Sequence, residues 1–227
     1  MATKKNEKQE ALKQEKLQET VSKTEQFYNE NKKTIWGCII AAAIIALGIL
    51  AYNQFYLKPK KAEAQDQMYP AEAAFRQGNY EVALNGDGNN YGFAQVIDEY
   101  GAKAGQAVYF YAGVCALQQQ NYEEALEYLK KYKGKDAILA ARAQACIGDA
   151  YVGLQKYSEA VAQFEKAAAG SDNMFAAEYL LKAAVACEEL GDKDKALKLY
   201  ETIKDKYPQS IEGYDIDKYI NRIKIAE

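Results

Sequence analysis

The second half of this chain repeats itself. Gly113, Tyr122, Ala125 and Leu129 return as Gly148, Tyr157, Ala160 and Phe164 after 35 residues, then as Ala184, Lys193, Ala196 and Tyr200 after a further 36, with the spacing inside each unit kept. A period of that length is one supersecondary unit, and a unit that cannot bury its own apolar face must stack against its neighbour. The small residues Gly113, Gly148 and Ala184 let a first helix approach its partner. Ala125, Ala160 and Ala196 remove bulk from the second helix, so that Leu129, Phe164 and Tyr200 fill the gap. The last copy ends at Tyr207–Pro208, because a residue preceding proline is pushed out of the helical region. These features predict an all-α chain of stacked helical hairpins.

The pattern resembles the tetratricopeptide repeat (TPR), with small residues where two helices cross and an aromatic or long side chain after the turn. A fourth, degenerate copy precedes the others, since Gly78, Asn79, Tyr80 and Ala83 match the turn and the second-helix alanine 42 residues before Ala125. Its second helix is interrupted by NGDGNNYG at 85–92, a loop by its Gly and Asn content. Asn85, Asp87 and Asn89 alternate there like calcium ligands, but Asn90 stands where the loop needs glycine and Val96 where it needs glutamate. A structural turn is therefore expected. The TPR domain then spans 64–227: a degenerate repeat at 64–105, repeats at 106–140, 141–176 and 177–208, and a capping helix at 212–225. The cap is marked by Ile216, Tyr219, Ile220 and Ile223 at three- and four-residue steps.

Ahead of the repeats, Ile35 to Tyr52 is a run of 18 apolar or small residues, and no charge lies between Lys33 and Lys58. As a helix it is about 27 Å long, close to the thickness of a bilayer core, and 35–57 is read as one transmembrane helix. Trp36 at one end and Tyr52, Phe55 and Tyr56 at the other suit the membrane interfaces. Lys32 and Lys33, and Lys58, Lys60 and Lys61, are placed to snorkel outward. Ala62–Glu63–Ala64 has the form of a signal-peptidase site. The long Glu-containing leader, the length of the apolar run and the intervening lysines instead favour an uncleaved anchor. Residues 1–34 are a charged segment with eight Lys against six Glu, and 58–63 a basic linker. Lysines near the two helix ends balance, so orientation rests on the tendency of a short N-terminus to stay in the cytoplasm while a long following domain translocates.

A charged leader, the phrase Phe27–Tyr28–Asn29–Glu30–Asn31–Lys32–Lys33 running into one anchor, and TPR units to the C-terminus together resemble the YfgM-like ancillary subunits of the bacterial SecYEG translocon. That resemblance implies an inner-membrane protein with its N-terminus in the cytoplasm and its repeats in the periplasm. Its partners would be translocon subunits, exported chains or periplasmic chaperones. An envelope scaffold for outer-membrane assembly or cell division is the alternative.

A peptide-binding face would be made by the first helices of the repeats. By repeat position it presents Phe110, Val114, Leu117 and Gln118, then Arg142, Asp149 and Val152, then Glu178, Leu181, Val185 and Glu189. TPR adaptors that clamp a C-terminal carboxylate place Lys and Asn where this chain has Phe110 and Val114, so no such clamp is expected. The apolar part either holds an extended or helical segment of a partner or packs against the preceding repeat and the inserted loop.

Composition narrows the chemistry. There is no histidine, which removes Ser-His-Asp and Cys-His catalysis and imidazole metal ligation. The acidic pairs Glu123–Glu124 and Glu188–Glu189 are helix neighbours about 100° apart and do not converge. Cys115, Cys146 and Cys187 fall within first helices with no CxxC spacing, and read as small buried residues. From Ala62 onward 26 acidic side chains face 18 basic ones, a balance that repels nucleic acid. The chain reads as a non-enzymatic interaction protein without cofactor or metal.

Overall fold

The computed structural model describes residues 2–170 and 175–225, with side chains at 25, 27–170 and 175–225. The chain forms two units, Met1–Lys58 and Pro59–Glu227. In the first, α1 (Ala2–Tyr52) is followed by a π-helical turn at Asn53–Leu57. It contains the one stretch among the described residues that is long and apolar enough to cross a membrane, and none of that stretch is buried. Ile44, Ile45, Leu47, Ile49 and Leu50 are all exposed along it. Trp36 Nε1 donates to the Tyr28 hydroxyl at 3.3 Å, and the Tyr52 and Tyr56 rings stack at 5.1 Å.

The second unit is helical throughout, with no strand among its described residues. It opens with α2 (Lys58–Arg76), α3 (Tyr80–Asn85), α4 (Phe93–Tyr100) and a 3₁₀ turn at Gly101–Ala104. Three hairpins follow: α5 (Ala107–Gln118) with α6 (Tyr122–Lys131), α7 (Ala137–Gly153) with α8 (Tyr157–Gly170), and α9 (Ala176–Glu189) with α10 (Lys193–Lys206). The chain closes on α11 (Ile211–Ile225), whose Ile216, Ile220 and Ile223 are buried. Helix α7 starts ahead of residue 141, where the repeat pattern opens that unit. Asp136 caps it by accepting a hydrogen bond from Leu139 N at 2.7 Å.

Each hairpin turns in the same way. Gly78, Gln120, Gln155 and Gly191 all have positive φ, between 58° and 78°. In each turn the N–H of the next residue reaches back to the carbonyl five residues before it, as in Asn121 to Ala116, Lys156 to Tyr151 and Asp192 to Cys187. This is the hydrogen bonding that closes a helix with one left-handed residue. The turn at Gly78, with Asn79 N bonded to Ala74 O, is closed in the same way.

The second helix of that copy is split. Between α3 and α4, Asp87 folds its carboxylate onto its own loop, accepting from Asn89 N at 2.9 Å, Asn90 N at 2.7 Å and Asn90 Nδ2 at 2.9 Å. Those bonds, the Asn90 side chain first, hold its carboxyl below the usual range. Gly86, at φ 79°, admits no side chain, because a Cβ there would stand 2.4 Å from Asn90 O. The loop is a self-capped turn.

The core forms two apolar clusters that share α7. One draws on Leu84, Phe93, Val108 and Leu129, the other on Phe164, Tyr200, Ile203 and Ile216. An aromatic group knits the first: Phe75 lies 5.1 Å from Tyr111 and 6.3 Å from Phe93, with Phe93 and Tyr111 stacked at 5.5 Å.

Candidate interaction groove

First helices α5, α7 and α9 carry stripes facing the same way. On α7 the stripe is Ile138, Arg142, Ala145, Asp149 and Val152, at alternating steps of four and three, which keeps one face of a helix aligned. The residues singled out from the sequence gather in two adjoining clefts. Phe110, Val114, Leu117, Gln118, Arg142 and Asp149 line the larger, of about 460 Å³, together with Glu178. Asp149, Val152, Leu181, Val185 and Glu189 line the smaller, of about 250 Å³. Asp149 and Lys182 border both. No residue of the 85–92 loop lines either cleft, whereas Phe75 of α2 closes one side of the larger.

Repeat comparison did not single out Lys182, Ile138 or Tyr179, which also line the larger cleft. For Ile138 the signal was present, since it begins the α7 stripe. For Lys182 it was not, because its role depends on α7 meeting α9.

Lys182 Nζ lies 3.1 and 3.0 Å from the two Asp149 oxygens and 3.4 Å from Glu178 Oε1. Burial opposes its charge, but Asp149 and then Glu178 more than compensate and hold the ammonium above its ordinary value. Burial also dominates at Asp149 and pushes its carboxyl up against the pull of Lys182. The ridge between the clefts is thus one ammonium held between two carboxylates. Arg142 and Glu189 are exposed and make no ion pair among the described residues. Cys146, in the larger cleft, has its thiol pushed up to about 11 by burial, so it is protonated near neutrality. Among the described residues no three metal-ligating side chains come together.

Three apolar side chains are exposed along this face: Ile138 at 52% exposure at the larger cleft, and Val152 and Val185 at the smaller. A surface that leaves regularly spaced apolar side chains beside fixed charges is suited to bind another polypeptide.

Residues 93–138 and 147–211 match the family model of the tetratricopeptide repeat. No curated protein matches the chain. Among solved structures, the crystal structure of MamA is similar, with a TM-score of 0.53 and 18% identity over 69% of this chain and 88% of that one. At that identity the likeness concerns the fold. The chain is helical, its matched residues form TPR hairpins preceded in sequence by a long apolar helix, and repeats of this kind serve protein–protein interaction.

Proposed function

We propose that this is a membrane-anchored TPR protein of the bacterial cell envelope, standing beside the translocon, whose repeats receive exported chains or periplasmic chaperones. The apolar segment of α1 crosses the inner membrane once, with the N-terminus in the cytoplasm and the repeats in the periplasm. The observation that carries the reading is the pair of clefts along α5, α7 and α9, which leave Ile138, Val152 and Val185 uncovered around an ion pair. The chemistry assigned to the protein is binding, with no bond made or broken.

Photo-crosslinking in intact cells tests this. A benzophenone side chain at Ile138 or Arg142, both exposed at the larger cleft, is expected to capture translocon subunits, secretory chains or chaperones, and one at Tyr69, exposed and outside both clefts, is not. Recovery of outer-membrane assembly or division proteins would make the protein an envelope scaffold instead. Adducts from Tyr69 alone would remove the groove from the account.

A further inference from the structure

Helix α11 is apolar on two opposite sides. Ile216, Ile220 and Ile223 are buried in the second apolar cluster. At about 100° per residue, Ile211, Tyr214, Lys218 and Ile225 fall within an arc of about 60° on the far side. Ile211, Tyr214 and Ile225 are 86%, 77% and 85% exposed, more than any other large apolar side chain described in the second unit. The outer face of a terminal repeat is ordinarily polar, and α11 departs from that. The helix cannot roll to hide the stripe. Arg222 bonds Glu188, Lys204 bonds Asp217 and Lys224 bonds Glu201, which tie it to α9 and α10.

The order of side chains along the stripe selects its occupant. Apolar groups stand at the two ends, with charge between them. In an antiparallel pairing with a second copy, centred on Lys218, Ile211 of each copy lies level with Ile225 of the other, and Tyr214 with Arg222. Asp215 and Arg222 share one flank of the stripe. Across a twofold axis equal flanks meet, so Asp215 of each copy comes beside Arg222 of the other. Arg222 donates to Glu188 through Nη2, and a guanidinium has further donors for a second carboxylate. Lys218, at the axis, is drawn aside by Asp215 at 3.1 Å and by the Tyr219 ring, whose centre is 5.1 Å from Nζ. A parallel pairing would set every charge level with its own like. The antiparallel one also opposes the two helix dipoles.

We propose that the outer face of α11 joins two copies of this chain, antiparallel about a twofold axis at Lys218, with Ile211 and Ile225 in apolar contact at each end. No residue of α11 lines either cleft, so the pairing is independent of the groove. A helix of 15 residues is about 22 Å long, and one face of it falls short of the roughly 1,000 Å² that a permanent interface clears. The pairing is therefore reversible and is favoured where the chains are confined together.

Cysteine pairing tests it in the full chain, reconstituted in lipid vesicles, with Cys38→Ser to silence the thiol of α1. Proteins carrying Ile211→Cys or Ile225→Cys are oxidised with copper phenanthroline, each alone and as an equal mixture. Tyr69→Cys, exposed on α2, gives the background from chance collision. The mixture is expected to yield about tenfold more disulfide-linked dimer than that background, and neither variant alone should rise above it. Adding Tyr214→Glu to both proteins should return the mixture to background while thermal melting of each stays unchanged.

Linking within each variant alone, as strong as in the mixture, would overturn the antiparallel arrangement. A mixture at background would overturn the dimer, and a benzophenone at Tyr214 that then captures a different protein in cells would give the face to that protein. Dimers that survive Tyr214→Glu would put the contact somewhere other than α11.

Discussion

A Cβ placed on Gly148 of α7 would stand 2.5 Å from Cε1 of Phe164 on α8, a ring that is itself buried. Gly113 bears the same relation to Leu129, whose Cγ would lie 2.5 Å away. In both hairpins the first helix has given up its side chain where the second inserts its largest fully buried one. Gly148→Val is therefore expected to destabilise the repeats by about 2–3 kcal/mol, since the ring has no free volume to enter. Gly170→Ala, whose nearest new neighbour is 4.0 Å away, should stay within about 0.5 kcal/mol. Denaturant midpoints of the two variants compare them directly, and equal midpoints would contradict the packing.

The hairpin turns give a second prediction, of opposite sign. Gln155 holds φ 58° where the equivalent turn has Gly191 at φ 78°. A side chain in the left-handed region costs roughly 1–2 kcal/mol relative to glycine, part of which glycine returns as unfolded-state entropy. Gln155→Gly should raise stability by about 0.5 kcal/mol, and Gln155→Val should lower it by more than 1 kcal/mol, roughly, because a β-branched residue resists that conformation. If the two variants melt alike, the turn geometry is wrong.

These two positions show how far the sequence could be read. Gly148 was legible because spacing alone set it opposite Phe164, and small-against-large packing is a pairwise rule that a repeat prints three times. Gln155 was not, since nothing in its chemistry advertises a left-handed backbone. Only alignment with Gly78 and Gly191 at the same turn reveals it. The groove divides similarly. Phe110, Arg142 and Val185 followed from repeat position, whereas the Lys182–Asp149 pair joins helices α9 and α7, which α8 separates in the chain, and no local pattern encodes that distance. The start of α7 at Ala137 was not legible, because its cap, Asp136, lies outside the repeating set of residues.

The ridge pair predicts a pH response. About a third of each side chain is exposed, so solvent screens the pair and Lys182→Met should cost only about 1 kcal/mol at pH 7. Burial then acts on Asp149 without its main counter-charge, raising its carboxyl further above the value it has in the unfolded chain. A raised folded-state pKa gives stability that is present at low pH and lost as pH rises through it. The variant should accordingly recover part of its loss between pH 7 and pH 5, roughly, and a second change, Asp149→Asn, should abolish that recovery. A single variant whose deficit is flat with pH would show that the carboxylate is not desolvated.

At the alkaline side the buried thiols matter more. Burial pushes the Cys115 thiol from 9.0 up to about 12, and that of Cys146 up to about 11. Above pH 9 the unfolded chain sheds protons that the folded chain keeps, so stability falls as pH rises. By pH 10 Cys115 alone should account for about 1.4 kcal/mol. Cys115→Ala is expected to lose some packing at neutrality yet to decline less steeply from pH 8 to pH 10, as read from urea midpoints. Parallel slopes in the two proteins would remove Cys115 from the linkage.

The same thiol properties make the proposed topology measurable with little background. Cys115 and Cys187 are buried, Cys146 is half-buried with its thiol held protonated at neutral pH, and Cys38 lies within the apolar run of α1. The native thiols should therefore react slowly with a charged, membrane-impermeant maleimide, since the thiolate is the reactive form. Gln209 is exposed between α10 and α11, so Gln209→Cys should react fast wherever reagent reaches it. If the repeats are periplasmic, cells whose outer membrane has been permeabilised should label Gln209→Cys and spare Thr3→Cys until the inner membrane is opened. The reverse order would put the repeats in the cytoplasm. Because exported chains and periplasmic chaperones are then absent from the groove's compartment, that single result would also withdraw them as partners while leaving the clefts themselves untouched.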